Sequence, residues 1–170
     1  MYDKVIGRVL SHEGNYTADP KDRGNWTSGK CGVGQLKGTK YGISAMSYPD
    51  LDIKGLTWEQ AKAIYKRDFW DKLNMTSWPD VLDFQVFDAA VNSGCGRAIK
   101  WLQWAARVND DGIVGPKTIA AVQAMDPNDV CLRFLGKRLR FMTETSTWNS
   151  YGKGWARRIS DNLLYAAEDN

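Results

Sequence analysis

Apolar residues recur at helical spacing along most of the chain, and the exception is a single stretch near the N-terminus. Val5, Ile6, Val9 and Leu10 share one face of a short amphipathic helix over residues 3 to 13, which stops at Glu13-Gly14-Asn15. From 14 to 44 the helical period disappears into Gly, Asn, Asp, Thr and Lys, predicting turns and at most short hairpin strands. A segment of that length without regular structure is unusual in a compact domain unless it serves function. Thr57-Trp58-Glu59-Gln60 has the form of a capping box and opens a helix through about Phe69. Two further periodic segments, Asp80 to Val91 and Arg97 to Arg107, read as a helical hairpin joined by Asn92-Ser93-Gly94-Cys95-Gly96, whose glycines stop the first helix. Pro116 and Pro127 stand where a helix starts without needing a backbone donor, giving helices near 116 to 124 and 127 to 146. A last helix spans about Gly154 to Ala167. The result is a mainly α fold with a small irregular or β-hairpin segment. No linker composition marks a boundary, so the chain reads as one compact unit, 1 to 170, with approximate lobes at 1 to 78 and 79 to 170.

Composition narrows the chemistry. The 23 basic and 20 acidic residues leave a net charge of +3, evenly spread, so phosphate attraction gives no reason to expect nucleic acid as a partner. No apolar run approaches the roughly 18 to 20 residues that cross a bilayer, and residues 1 to 10 lack the apolar core of a secretory signal. One histidine argues against mechanisms needing several imidazoles. Cys31, Cys95 and Cys131 are odd in number, far apart and without a C-x-x-C, so neither a disulfide framework nor a zinc site is indicated; Cys95 and Cys131 read as small buried hydrophobes. No metal or cofactor is expected. Asp110-Asp111-Gly112 carries a fragment of a calcium-loop pattern without its later ligands and reads as a turn before the Pro116 helix. The eight tryptophans divide between core and gripping surfaces; Trp101 and Trp104, three apart on one helix face, read as core. Lys137, Arg138, Arg140, Arg157 and Arg158 read as a solvated face, with contact to an anionic surface as the alternative.

Only four glutamates exist, and Glu59, Glu144 and Glu168 have ordinary structural explanations near helix ends. Glu13 differs. A carboxylate at a helix C-terminus meets the negative end of the helix dipole, which favours its protonated form, the state a general acid needs. Asp19 and Asp22 lie further along the irregular stretch, where a second carboxylate can face Glu13 across a cleft, as glycoside hydrolysis uses. The same Asp19-Pro20-Lys21-Asp22 also makes a plausible turn in which each aspartate bonds nearby backbone. Tyr16 and Tyr41 flank the acid either as cleft walls or as packing beneath the hairpin. Asn92 is a candidate to hold a ligand through its amide, an N-acetyl group if the ligand is the glycan that the resemblance below implies, or else caps its helix at Gly94.

These residues carry a resemblance. His12-Glu13-Gly14-Asn15-Tyr16, Asp19-Pro20, Asp22, Gly24 and Gly38-Thr39-Lys40-Tyr41-Gly42-Ile43-Ser44 resemble the ordered motifs of glycoside hydrolase family 108, the phage and bacterial N-acetylmuramidases. Phe87 to Gly94, Trp101-Leu102-Gln103, Asp110 to Thr118 and Gly154-Trp155 with Arg157-Arg158 are similar to the peptidoglycan-associated half that accompanies the family. The resemblance implies a lysozyme-like two-lobed helical fold. It further implies cleavage of the β-1,4 bond between N-acetylmuramic acid and N-acetylglucosamine, with Glu13 as acid, Asp22 as base or charge-stabilising partner and Thr39 as a supporting residue. Thr27 competes with Thr39 for the last role, but Thr39 precedes Tyr-Gly-Ile, which makes residues 25 to 37 an insertion. That insertion brings Trp26, Lys30, Cys31 and Lys37 toward the cleft, where Trp26 either stacks on a sugar or closes the loop. Asn15 stands where the family more often has glycine, and asparagine tolerates the left-handed backbone. The expected partner is peptidoglycan glycan strands, acted on by a monomer without nucleic acid or stable membrane insertion. An endolysin of this kind is made in the host cytoplasm without a signal peptide and reaches the wall through holin-type release. A lytic transglycosylase giving 1,6-anhydro products, a chitinase-like enzyme and a non-catalytic wall-binding module are the alternatives.

Overall fold

A computed structural model describes residues 1–12 and 14–170; Glu13 and the side chains of Ser11 and His12 lie outside what is described. The chain divides into two compact units, Tyr2–Arg67 and Asp68–Asn170, the second also including Met1. Among the described residues no helix is long and apolar enough to cross a membrane.

In the first unit α1 (Tyr2–His12) buries the four apolar positions that define its period, Val5, Ile6, Val9 and Leu10. It lies beside α2 (Trp58–Tyr65): the Tyr2 hydroxyl donates to the Lys62 carbonyl, and Lys62 Nζ pairs with Asp3 at 3.4 Å. The capping box at the start of α2 forms as expected. Thr57 Oγ1 accepts from the Gln60 amide at 3.2 Å while Gln60 Oε1 accepts from the Thr57 amide at 2.9 Å. The helix does not continue to Phe69 in α form. It ends at Tyr65 and runs on as one turn of π-helix over Lys66–Trp70, a local widening that hydrophobic spacing does not reveal. Between the helices, β1 (Thr39–Lys40) and β2 (Ile43–Ser44) pair antiparallel, Thr39 opposite Ser44 and Lys40 opposite Ile43. Tyr41 and Gly42 turn the hairpin at φ +52° and +74°, the left-handed geometry that tight hairpin turns require.

The second unit is built around α3 (Asp80–Ser93), every residue of which from Val81 to Ala90 is buried. A helix buried all round belongs at the centre of a bundle, and α4 (Cys95–Ala105), α6 (Pro127–Thr143) and α7 (Trp148–Glu168) all pack on it. α5 (Pro116–Ala124) packs on α4 and α6. Both prolines occupy first-turn positions, as their sequence context predicts. The link between α3 and α4 is shorter than the glycines suggest: Gly94 alone, at φ +91°, separates them, and Gly96 is helical. One residue outside helical geometry is sufficient to end α3, whose last bond runs from the Gly94 amide to the Ala90 carbonyl at 2.8 Å. α6 stops at Thr143, three residues short of expectation, and α7 begins at Trp148, six residues early. Gly152 and Gly154 both lie within α7 without breaking it, and at Gly152 the Trp148 ring lies against the helix backbone, where a Cβ would come within 2.6 Å of it.

The turn at Asp110-Asp111-Gly112 forms as expected, held by a buried glutamine. Gln103 Nε2 donates to Asp111 Oδ1 at 2.8 Å and to Thr118 Oγ1 at 3.0 Å, while its Oε1 accepts from the Gly112 amide at 2.8 Å. Asp111 Oδ1 also accepts the Ile113 amide at 2.9 Å, and these bonds hold its carboxyl below the usual range. The aspartate therefore orders a loop. Trp104 is not core: it is 39% exposed, with the Arg133 guanidinium and Lys137 ammonium 4.9 and 4.8 Å from its ring, whereas Trp101 is buried. Cys131 is buried as expected, but Cys95 is only half-buried, at the start of α4.

Candidate active site

The first unit holds most of the residues that the motifs single out. α1 ends at His12, immediately before Glu13 in the chain, and Glu13 itself lies outside the described residues. Beyond the helix the irregular stretch is held by one buried side chain that no local sequence pattern marks. Asn25 is 0% exposed, and its backbone and side chain serve as a four-way tie. Its amide donates to the Asp22 carbonyl at 3.1 Å, and its carbonyl accepts from Lys37 and Gly38, both at 3.0 Å. Its Nδ2 donates to the Asp19 carbonyl at 3.1 Å, and its Oδ1 accepts from the Thr39 hydroxyl at 2.7 Å. Asparagine suits this position because one planar amide offers a donor and an acceptor at once. Its only sequence signal is its place beside Gly24 in a polar stretch.

Asn25 therefore fixes the Asp19–Asp22 segment to β1. Asp22 caps a single 3-10 turn, Arg23–Asn25, with Oδ1 accepting from the Gly24 amide at 2.8 Å, and its side chain is otherwise exposed. Asp19 Oδ1 accepts from the Lys21 amide at 2.9 Å. Both aspartates thus make the local turn bonds that their sequence permits, and the Asp22 bond leaves its second carboxylate oxygen uncommitted to that turn. Thr39 and Thr17 exchange backbone bonds of 2.8 and 2.9 Å, which extends the hairpin by one bridge toward the acid motif.

The two candidate threonines have different surroundings. Thr27 Oγ1 accepts from the Gln35 amide at 2.9 Å, and the Thr27 amide donates to the Gln35 carbonyl at 3.0 Å. Its hydroxyl is part of the insertion's own closure, and a Cβ at Gly34 would come within 2.5 Å of it. Thr39 instead turns its hydroxyl to Asn25, on the frame that carries Asp22. Trp26 is half-buried, with Nε1 donating to the Pro20 carbonyl at 2.9 Å, and it bridges to Leu36, so it closes the base of the insertion. Lys37 reaches the Pro49 carbonyl at 2.7 Å and Cys31 is exposed.

Of the tyrosines, Tyr41 packs its ring edge-on to Trp58 at 5.6 Å, and its carbonyl accepts from Tyr65 at 2.9 Å. Tyr16 presses against Gly38, where an added Cβ would sit 2.6 Å from the ring and 2.4 Å from the Thr17 carbonyl, at a φ of +87°. Only glycine fits there. Tyr16 also lines an open surface pocket of about 400 Å³ with Lys37, Asp50 and Asp52.

Asn92 belongs to the second unit. It is exposed at the end of α3, where Oδ1 accepts from Arg138 Nη2 at 3.4 Å and from the Ser93 hydroxyl at 3.3 Å. It does not cap its helix by its side chain; the Gly94 amide closes the helix on the backbone. Behind it lies a buried charge cluster that no motif in the chain announces. Arg138, 0% exposed, donates to Asp88 Oδ2 at 2.7 Å, Arg158 donates to Oδ1 at 2.6 Å, and Asn162 Nδ2 donates to Oδ2 at 3.0 Å. Burial alone would raise the Asp88 carboxyl, but Arg138, Arg158 and these hydrogen bonds outweigh it and hold it at about 2. Two members of the expected solvated basic face, Arg138 and Arg158, thus serve an internal anion. Fifty and seventy residues of separation hide these pairs from any local pattern.

Comparison with known proteins places both halves of the chain. Residues 6–94 match the Glycosyl hydrolase 108 family model, and residues 97–160 match a model described as a Predicted Peptidoglycan domain. The structure of SagA from Brucella abortus superimposes with a TM-score of 0.82 at 30% identity, over 99% of this chain and 94% of that one. No curated protein matches the sequence. A glycosyl hydrolase model covering more than half of the chain, with a peptidoglycan module after it, gives the family and the substrate together: the chain belongs to the glycosyl hydrolase 108 family and is a glycoside hydrolase that degrades cell-wall peptidoglycan.

Proposed function

We propose that the protein is an N-acetylmuramidase, hydrolysing the β-1,4 bond from N-acetylmuramic acid to N-acetylglucosamine. Glu13 is the acid that protonates the glycosidic oxygen. Asp22 is the carboxylate that steadies positive charge at the anomeric carbon or activates the attacking water, and Thr39 orients that partner or the water. The observation that carries this reading is the Asn25 tie, which puts Asp22 and the Thr39 hydroxyl on one fixed frame within a single unit. A rigid frame is what a catalytic pair needs, because the carboxylate must hold its distance while the substrate moves. Thr39 is favoured over Thr27 because the Thr27 hydroxyl already closes the insertion. Tyr16, Tyr41, Trp26 and Asn92 are the proposed substrate contacts. The resemblance to phage N-acetylmuramidases supports an endolysin role, with synthesis in the host cytoplasm and holin-type release to the wall.

Digestion of purified peptidoglycan, read by mass spectrometry of the soluble fragments, tests the bond specificity. Reducing N-acetylmuramic acid ends are expected. Anhydro ends would make it a transglycosylase, reducing N-acetylglucosamine ends would place the cut at the other linkage, and no fragments would leave only a binding role.

A further inference from the structure

The first half of α7 carries three aromatic rings that pack on one another. Trp148, Tyr151 and Trp155 are spaced i, i+3 and i+7 and so share a helix face. The Trp148 and Trp155 centroids are 6.2 Å apart, and Tyr151 lies 5.8 Å from Trp155 with only 34° between the ring planes. Tyr151 is 60% exposed, which leaves its ring accessible to a ligand. The arrangement is held from behind. With no side chain at Gly152, the Trp148 ring lies on the helix backbone and buttresses Trp155. Glycine in a helix interior costs about 1 kcal/mol relative to alanine, and here that glycine fixes the slope of an aromatic surface.

The surroundings favour an anionic, polar ligand over an apolar protein partner. From Trp148 to Ser160 the helix contains Lys153, Arg157 and Arg158 and no carboxylate, the first being Asp161. Lys153 and Arg157 are exposed, in contrast to Arg158, which serves Asp88. α3 and α7 run antiparallel, with Phe84 on Tyr165, Gln85 on the Asn162 carbonyl and Asp88 on Arg158. That register brings the Asn92 end of α3 to the first half of α7. The Asn92 oxygen is engaged by Arg138, which directs the exposed amide's remaining capacity to donation.

We propose that Tyr151 and Trp155 form a platform that stacks on pyranose faces of an N-acetylated wall glycan, with the Asn92 amide donating to an acetyl carbonyl. The axial C–H groups of a β-linked sugar meet the negative faces of the rings, and the stem-peptide carboxylates of the strand meet Lys153 and Arg157. The proposal rests on the peptidoglycan reading and adds to it where in the second unit the strand is held.

The test uses the full chain carrying Glu13→Gln, so that binding is read without cleavage, and measures co-sedimentation with purified peptidoglycan and with beads to which amidase-stripped, peptide-free glycan chains are coupled by their reducing ends. Tyr151→Ala is expected to weaken retention by about 5- to 20-fold on both materials, and Tyr151→Phe by less than about 2-fold, since the ring persists. Trp104→Ala removes another exposed tryptophan of the same unit and should change nothing. Tyr151 is exposed, so its variants should keep the parent's circular dichroism. Equal retention of parent and Tyr151→Ala would overturn the platform alone. Loss on intact peptidoglycan but not on stripped glycan would assign the surface to peptide instead. A parent that fails to sediment at all would overturn the wall-glycan reading together with the platform.

Discussion

Asp88→Asn keeps the shape of its side chain and removes the charge, leaving Arg138 fully buried with no anion beside it among the described residues. Among the described residues Arg138 Nε already lacks a hydrogen-bond partner, so the guanidinium depends on its two terminal nitrogens. Breaking one side of a buried pair costs about 3–5 kcal/mol, against a typical total stability of roughly 5–15 kcal/mol. With a urea m-value of about 2 kcal/mol/M, the midpoint should fall by roughly 2 M. The pH dependence has the same source. The Asp88 carboxyl is held at about 2 in the fold against an ordinary 3.8. The stability it supplies is thus complete above the ordinary value and is lost as pH falls through about 2, in total about 2–3 kcal/mol. Urea titrations of the wild type, Asp88→Asn and the double variant Asp88→Asn, Arg138→Met, monitored by tryptophan fluorescence, would read the effect. The double variant removes the stranded cation and should recover at least half of the loss. A single variant within about 0.3 M of the wild type, or a double variant less stable than the single, would refute the argument.

Asp83 is 4% exposed with no hydrogen bond to its Oδ1 among the described residues, and burial, with Asp80 adding, pushes its carboxyl up to about 7. A raised carboxyl withdraws stability as pH rises from its ordinary value through about 7, so Asp83→Asn should match the wild type near pH 3 and exceed it by about 2–4 kcal/mol at pH 8. Parallel melts at the two pH values check this, and an unchanged difference between them would count against it. Thr39→Val should lower turnover of peptidoglycan at least about 10-fold while Thr27→Val stays within about 3-fold; the reverse order would exchange the two threonines' roles.

The helices are legible in the chain because they rest on local signals: the Val5 to Leu10 face, the Thr57 capping box, and Pro116 and Pro127 at helix starts. The irregular segment is legible for the same reason, since its glycines and asparagines leave no period. The long-range polar contacts are not. Asp88, Arg138 and Arg158 look like ordinary surface charges until α3, α6 and α7 bring them together. Asn25 looks like a loop residue until Thr39, fourteen positions away, donates to it. Trp104 departs from the core expectation because three-residue spacing gives a shared face without saying how wide the buried stripe is, and basic side chains on α6 cover it instead. The motif residues Asp22 and Thr39 are marked by their order in the chain, and the structure adds the asparagine that joins them.

The most direct test of the catalytic assignment is the rate of reducing-end release from purified peptidoglycan by the wild type and by Glu13→Gln, which keeps the size of the side chain and removes its acidic proton. The assignment predicts a loss of at least about 100-fold with wall binding retained. Release by the variant at a rate near that of the wild type would contradict it and move the acid to another residue.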